Sequence, residues 1–272
     1  MRFIFNSIIE TNTMFEPTSV LPKDSWVLVT GAAGYVGSHV VVQFLQRGYR
    51  VRGTARDIHK SAWLLDHALM RDYAKSGAFE LVEVPDMTSP HAFDEALKDI
   101  SVVMHIATIN TLDPDPSQVV VPSVAAILSL LQAAAREPTV QRFVFTASSF
   151  DAAFPAPNVD LEITRDTWND LVVQMSSSPP PYDERRGLMT YMASKVEAHK
   201  ALWRFIESEK PKFVTNSVGV YLAAGQILHK SQLERVKSLQ LFQMLYNGET
   251  GFASQIPTSK SLKQIQPPAC VF

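Results

Sequence analysis

Three glycines spaced by three residues, Gly31, Gly34 and Gly37, follow directly on the apolar run Val27-Leu28-Val29. A short run with no polar alternation reads as a central strand buried on both faces. Beyond the glycines, Val36, Val40 and Phe44 recur at helical spacing, Gly48 ends that helix, and Tyr49–Thr54 reads as a second strand. Strand, glycine turn, helix and strand make a βαβ unit whose helix N-terminus faces an anion. A pyrophosphate there has to approach the backbone, so side chains must be absent where it lies and N–H groups must point at it.

The second strand runs into Ala55-Arg56 and not into an acidic residue. An acid at that place would bond both ribose hydroxyls of NAD and repel a 2′-phosphate. Arg56 and Lys60 instead offer two cations, and a guanidinium binds phosphate through two parallel hydrogen bonds. The pattern therefore predicts NADP(H); the alternative for both cations is a solvated surface.

Composition adds boundaries. A chain of 272 residues with 46% hydrophobic and 19% charged content has the apolar mass for a sizeable core. A net charge of −2 and a pI near 6.4 give no reason to expect nucleic acid or an acidic membrane as partner. The single cysteine, Cys270, forms no internal disulfide and belongs to no metal-ligand cluster. The apolar start MRFIFNSII is short, is broken by Asn6 and lacks a cleavage site. Met1 to Lys23 is read as a loose extension of a cytoplasmic protein, and no apolar run is expected to be long enough to cross a bilayer.

Further along, Lys60–Ala74 is predicted as a helix and Phe79–Val84 as a strand ending at Pro85-Asp86-Met87. A carboxylate just past a strand end lies on the ligand edge of an open sheet, so Asp86 either meets an adenine amino group or caps the next turn. His91–Lys98 reads as a short helix and Val102–Ala107 as a strand that exits through Ala107 and Thr108, small enough for a flat ribose-nicotinamide group. His105 inside that run reads as a satisfied core residue. Val124–Arg136 is predicted as a helix with Pro122 near its start, and Gln141–Thr146 as a strand with Ala147, Ser148 and Ser149 at its exit. Phe154–Met189, with five prolines and Trp168, is the least regular stretch. A helix over Tyr191–Glu207 and a sixth strand over Phe213–Val220 complete the pattern.

Tyr191 and Lys195 stand four apart, one turn apart on one helix face. An ammonium so placed favours the phenolate and is expected to lower the tyrosine pKa from about 10. Tyr191 could then protonate a carbonyl oxygen as hydride reaches the carbon, with Ser148 holding that oxygen. YxxxK alone is common, and its tyrosine is by default a packed aromatic.

The order TGxxGxxG, serine after the fifth strand, then YxxxK is specific. From about Leu21 to Leu228 the chain resembles the extended short-chain dehydrogenase/reductase family, carried by VLVTGAAGYVGSHVV, VRGTARD, VPDMT, HIAT, RFVFTASS and YMASKVEA. The likeness is to fungal NADPH-dependent aldehyde and ketone reductases and to dihydroflavonol and cinnamoyl-CoA reductases. It implies an α/β fold, a Rossmann-type doubly wound parallel sheet with helices on both faces, and a small C-terminal substrate lobe. It implies NADP held by Gly31, Gly34 and Gly37 with backbone contacts from Tyr35 and Val36, by Arg56 and Lys60, by Asp86 and Met87, and by Ala107 and Thr108. Ser148, with Ser149 as the other candidate, Tyr191 and Lys195 would be catalytic, the last two also touching cofactor; no metal is implied.

Two departures stand out. Val220 lies near the place where relatives carry a proline, and the tail GFASQIPTSKSLKQIQPPACVF replaces a patterned segment of the substrate lobe. The expected organisation is an extension at 1–23, an NADP-binding domain at 24–228 and an incomplete, irregular remnant at 229–272. Trp168 and the stretch through Pro181 and Tyr182 form either a pocket wall or surface packing. The reading is a carbonyl reductase for a small-molecule aldehyde or ketone, as monomer or homodimer, with a place in fungal secondary metabolism only by resemblance. The alternatives are an NADP(H)-binding protein with little catalysis and an NAD-linked epimerase or dehydratase; Arg56 and Lys60 speak against the last.

Overall fold

The computed structural model describes residues 21–153, 162–233, 240, 243–244 and 246–248. Pro155, Pro157, Cys270 and most of the expected extension and tail lie outside the described residues. Six strands, β1 (Trp26–Val29), β2 (Arg50–Ala55), β3 (Phe79–Glu83), β4 (Ile100–His105), β5 (Arg142–Ser148) and β6 (Val214–Val220), form one sheet in the order β3-β2-β1-β4-β5-β6. Every pairing is parallel. This is the doubly wound order, whose direction reverses between β1 and β4 and opens a crevice there at the carboxyl ends of the strands.

The central strand explains the two layers. Leu28 points to one face, with Val103, Phe143 and Phe145 of the sheet and Ile127, Leu130 and Leu202 of two long helices. Val27 and Val29 point to the other, with Val41, Leu45, Leu64 and Met70. Successive side chains on a strand alternate, so an apolar run without alternation has to be covered twice. The helices doing this are α1 (Tyr35–Gln46) on one side, and α6 (Pro116–Arg136) with α8 (Gly187–Glu209) on the other. On α1 the buried large apolar side chains are Val41, Val42 and Leu45, one step round from the Val36, Val40 and Phe44 stripe, which is only half-buried.

Several expectations are corrected. The helix predicted over Lys60–Ala74 is three short pieces, α2 (Ile58–Ser61), α3 (Trp63–Asp66) and α4 (Arg71–Lys75). Leu64 and Met70 are both fully buried in the same cluster. Six residues apart they would lie about 240° apart round one helix, so the chain bends, with His67 extended (φ −64°, ψ 137°). The short helix near His91 is α5 (Asp94–Leu97). α6 begins at Pro116 and carries Pro122 inside it, because the start signal is Asp115, whose carboxylate accepts from Ser117 N at 2.9 Å, followed by Pro116 at the first helical position. At this length α6 is long and apolar enough to span a bilayer, contrary to the expectation, but its apolar side packs against the sheet and α8.

The stretch Phe154–Met189 contains a helix, α7 (Asp170–Ser176), capped by Asn169 accepting from Val172 N. α8 starts at Gly187, ahead of Tyr191; a side chain there would meet Leu112 O at 2.0 Å, so glycine lets the segment after β4 cross the helix start. On β6, Val214 and Val218 are 50% and 53% exposed, leaving the outer face of that edge strand open among the described residues.

Candidate active site

The glycine turn between β1 and α1 lies at the crevice. Gly31 has φ +67°, and a Cβ on it would sit 3.1 Å from Ala107 Cα at the end of β4. A Cβ on Gly37 would reach Gly31 O at 2.2 Å. Both positions require glycine, one for conformation and one for helix-to-turn packing. Gly34 is the N-cap of α1 and supplies no side-chain cap, so the first-turn N–H groups of Tyr35 and Val36 point outward unsatisfied by the helix itself. The result is a cradle bare of side chains and rich in donors, which fits a pyrophosphate.

Thr30 locks the two strands beside it. Its hydroxyl oxygen accepts from Ile106 N and Ala107 N, each at 3.0 Å, and stands 2.9 Å from His105 Nδ1. His105 is the satisfied core residue expected: burial first, then the Lys195 charge, push its pKa down to about 3. It remains neutral at working pH.

Arg56 is exposed at the end of β2 and its charge reaches Asp86. Lys60, also exposed, bridges to Asp57 Oδ2 at 3.1 Å, while the Asp57 carboxylate caps α2. Of the two expected cations, Arg56 is therefore the less committed. Asp86 accepts from Thr88 N, Thr88 Oγ1 and Ser89 Oγ at 2.7 to 3.0 Å, and these bonds hold its pKa below the ordinary value. Of the two roles left open for it, the turn cap is occupied.

Met87, Ala107, Thr108 and Lys195 line one small cavity, together with His105 and Phe145. The structure thus brings Met87, Ala107 and Thr108, but not Asp86, to Lys195 of the YxxxK helix. Lys195 is 9% exposed, donates from Nζ to Thr146 O at 2.9 Å and lies over the Phe145 ring. Burial lowers its pKa, against the opposing pull of Asp151. Tyr191 runs contrary to expectation: burial, and then the negative Asp151, raise its pKa above 10. Desolvation of the phenolate sets the direction.

Ser148 ends β5 and its Oγ accepts from Phe150 N at 3.2 Å, which leaves its hydrogen to be donated. Ser149 Oγ is buried with no partner among the described residues. Trp168 lies edge-on to His199 at 5.0 Å, a packing role, and Tyr182 is exposed beneath Arg186.

Four residues escape the sequence reading. Asp151 closes a capping box with Ser148, a signal present in the Ser-x-x-Asp spacing. His199 continues the Tyr191–Lys195 row by another turn. Gln232 is buried and donates to Ala33 O, Gly34 O and Ser38 Oγ, and His229 stacks on Trp63 at 4.6 Å, so residues 229–232 fold back over the glycine turn. No local pattern announces that contact.

The family model described as "NAD dependent epimerase/dehydratase family" matches residues 27–221, the stretch from β1 to just past β6. The chain belongs to this family. Among its curated relatives, the NAD-dependent epimerase/dehydratase terH of Aspergillus terreus is 40% identical over 215 residues, 79% of this chain and 63% of that protein. Aldehyde reductase 2 of Sporidiobolus salmonicolor is 38% identical over 232 residues, 85% of this chain and 66% of that protein. The crystal structure of Gre2 from Candida albicans in complex with NADPH superposes with a TM-score of 0.64 at 25% identity, covering 78% of this chain and 61% of that one. The chain thus spans 63% and 66% of the length of these two curated relatives. The family resemblance and the Rossmann-type fold expected from the glycine turn are both borne out.

Proposed function

We propose that this chain is an NADPH-dependent reductase of small-molecule aldehydes or ketones. The observation that carries the proposal is the position of Lys195, buried on α8 above Tyr191's turn and lining the same cavity as Ala107 and Thr108. The glycine cradle would hold the pyrophosphate, Arg56, with help from Lys60, the 2′-phosphate, and Met87, Ala107 and Thr108 the edge along which the dinucleotide lies. When bound, NADPH supplies the hydride that reaches the carbonyl carbon.

The side chains supply the rest. With its pKa raised, Tyr191 stays protonated at neutral pH, the form required of a general acid toward a carbonyl oxygen. The phenolate it leaves is stabilised by the Lys195 ammonium one turn away. Ser148, with a hydrogen free to give, orients the oxygen; Ser149, buried, is the weaker candidate. The names of the aldehyde reductase of Sporidiobolus salmonicolor and of the NADPH-bound Gre2 support the reading.

The test is NADPH oxidation followed at 340 nm with a panel of aromatic and aliphatic aldehydes and ketones. Turnover lost in Tyr191→Phe with NADPH binding retained supports the reading. Tight NADPH binding without turnover on any carbonyl overturns it in favour of a nucleotide-holding protein.

A further inference from the structure

A buried acid–base pair stands behind the proposed proton donor and has no part in the chemistry above. Asp151, 3% exposed, sits in the 3-10 turn Ser149–Asp151 that leaves β5. Its Oδ2 accepts from Ser148 N at 2.9 Å and lies 3.2 Å from His199 Nδ1. His199 extends the row Tyr191, Lys195, His199 along one face of α8. Its ring is held between Trp168, edge-on at 5.0 Å, and Phe145 at 5.3 Å. Asp151 Oδ1 and His199 Nε2 are both buried and without a hydrogen-bond partner among the described residues. Packing does not account for such a pair, since burying polar atoms unpaired costs folding free energy.

The turn is fixed from outside as well. Asn169 donates from Nδ2 to Phe150 O at 3.0 Å and from its backbone to Asp151 O at 2.8 Å. The carboxylate is thereby held at a fixed place relative to Ser148 and the YxxxK face. Its charge acts on both neighbours, favouring the ammonium of Lys195 and disfavouring the phenolate of Tyr191.

We propose that Asp151 and His199 are a positioning pair: the carboxylate fixes the Ser148 backbone and balances the Lys195 charge beside Tyr191, and the imidazole fixes the carboxylate. This rests on the reading of Tyr191 as the proton donor. The other charged groups on packed elements are accounted for. His105 on β4 is neutral, Lys200 pairs with Asp170 of α7 and Glu197 of α8, and Glu184 and Arg186 precede α8. α6 and β5 carry charge only at their far ends, Arg136 and Arg142.

The proposal predicts opposite shifts from two substitutions. Asp151→Asn removes the charge and moves the Tyr191 titration to lower pH by about one unit. His199→Phe fills the aromatic slot but leaves the carboxylate with the Ser148 N–H and no imidazole donor, and moves the Tyr191 titration to higher pH; His199→Asn restores it in part. The probe is the apo protein labelled with 3-fluorotyrosine and followed by fluorine NMR, with the Tyr191 signal assigned through Tyr191→Phe. Fluorination acidifies the phenol and keeps the titration where the protein is folded. Because this reading needs no turnover, it stands apart from the failure of the reductase assignment. If turnover is present, the alkaline limb of kcat/KM shifts in the same directions. A Tyr191 titration unmoved in either folded variant, or moved the same way in both, overturns the proposal. Should Asp151→Asn not fold, His199→Phe and His199→Asn decide it alone.

Discussion

Lys195 Nζ on α8 donates to the main-chain carbonyl of Thr146 on β5 at 2.9 Å, tying the YxxxK helix to the strand that presents Ser148. The same cation both fixes and charges the site. Lys195→Met keeps the stem in its apolar slot and removes the charge. kcat for carbonyl reduction is expected to fall about a hundredfold or more, while the orphaned Thr146 carbonyl costs about 1–3 kcal/mol of stability. Steady-state kinetics and a urea melt on the one variant separate the two effects.

Gly37→Ala places a methyl group 2.2 Å from Gly31 O, a backbone atom that cannot swing aside. The glycine turn has to move, so the variant is expected to lose about 1–3 kcal/mol of stability and to lose NADPH binding measured by calorimetry. Gly34→Ala, with its methyl group 3.0 Å from the same oxygen, is expected to be the milder of the two.

Arg56→Ala tests the assignment of the 2′-phosphate. A charge-assisted contact contributes about 1.5–3 kcal/mol, so NADPH binding should weaken by about tenfold to a hundredfold and NADH binding should not change. Lys60→Ala should do less, because that ammonium is exposed and already bridged to Asp57. Fluorescence titration with both nucleotides gives the ratio.

His105 sets an acid limit. Its folded pKa is depressed to about 3 from about 6.5 in an unfolded chain, so the neutral form stabilises the fold fully only above about pH 6.5. Below that, the unfolded chain binds a proton that the folded chain refuses, and stability falls as pH drops from about 6.5 through 3. Between pH 7.5 and 5.5 the loss from this one group is about 1.4 kcal/mol. His105→Asn, which can still accept from Thr30, should remove that part of the pH dependence in urea midpoints.

The sequence made the cofactor half readable because its requirements are local. Gly31 needs a positive φ, Gly37 needs an absent Cβ, and the strand–turn–helix pattern around them admits one fold. Tyr191 and Lys195 were equally legible from helical spacing. The direction of the Tyr191 pKa was not, since it depends on burial and on Asp151, neither of which a four-residue spacing encodes. The broken helix at 58–75 was misread because propensity within the window does not reveal that Leu64 and Met70 share one cluster. The contact of Gln232 with Ala33 and Gly34 joins residues about two hundred apart in sequence and has no local signature.

The central claim is that Tyr191 delivers a proton where bound NADPH delivers hydride. NADPH carrying deuterium at both C4 positions, incubated with a reducible aldehyde, should place one deuterium on the carbinol carbon of the product, read by mass spectrometry. Tyr191→Phe should still bind the nucleotide and transfer none. Equal transfer by Tyr191→Phe, or deuterium that stays on the cofactor with every carbonyl offered to the native protein, would contradict the account.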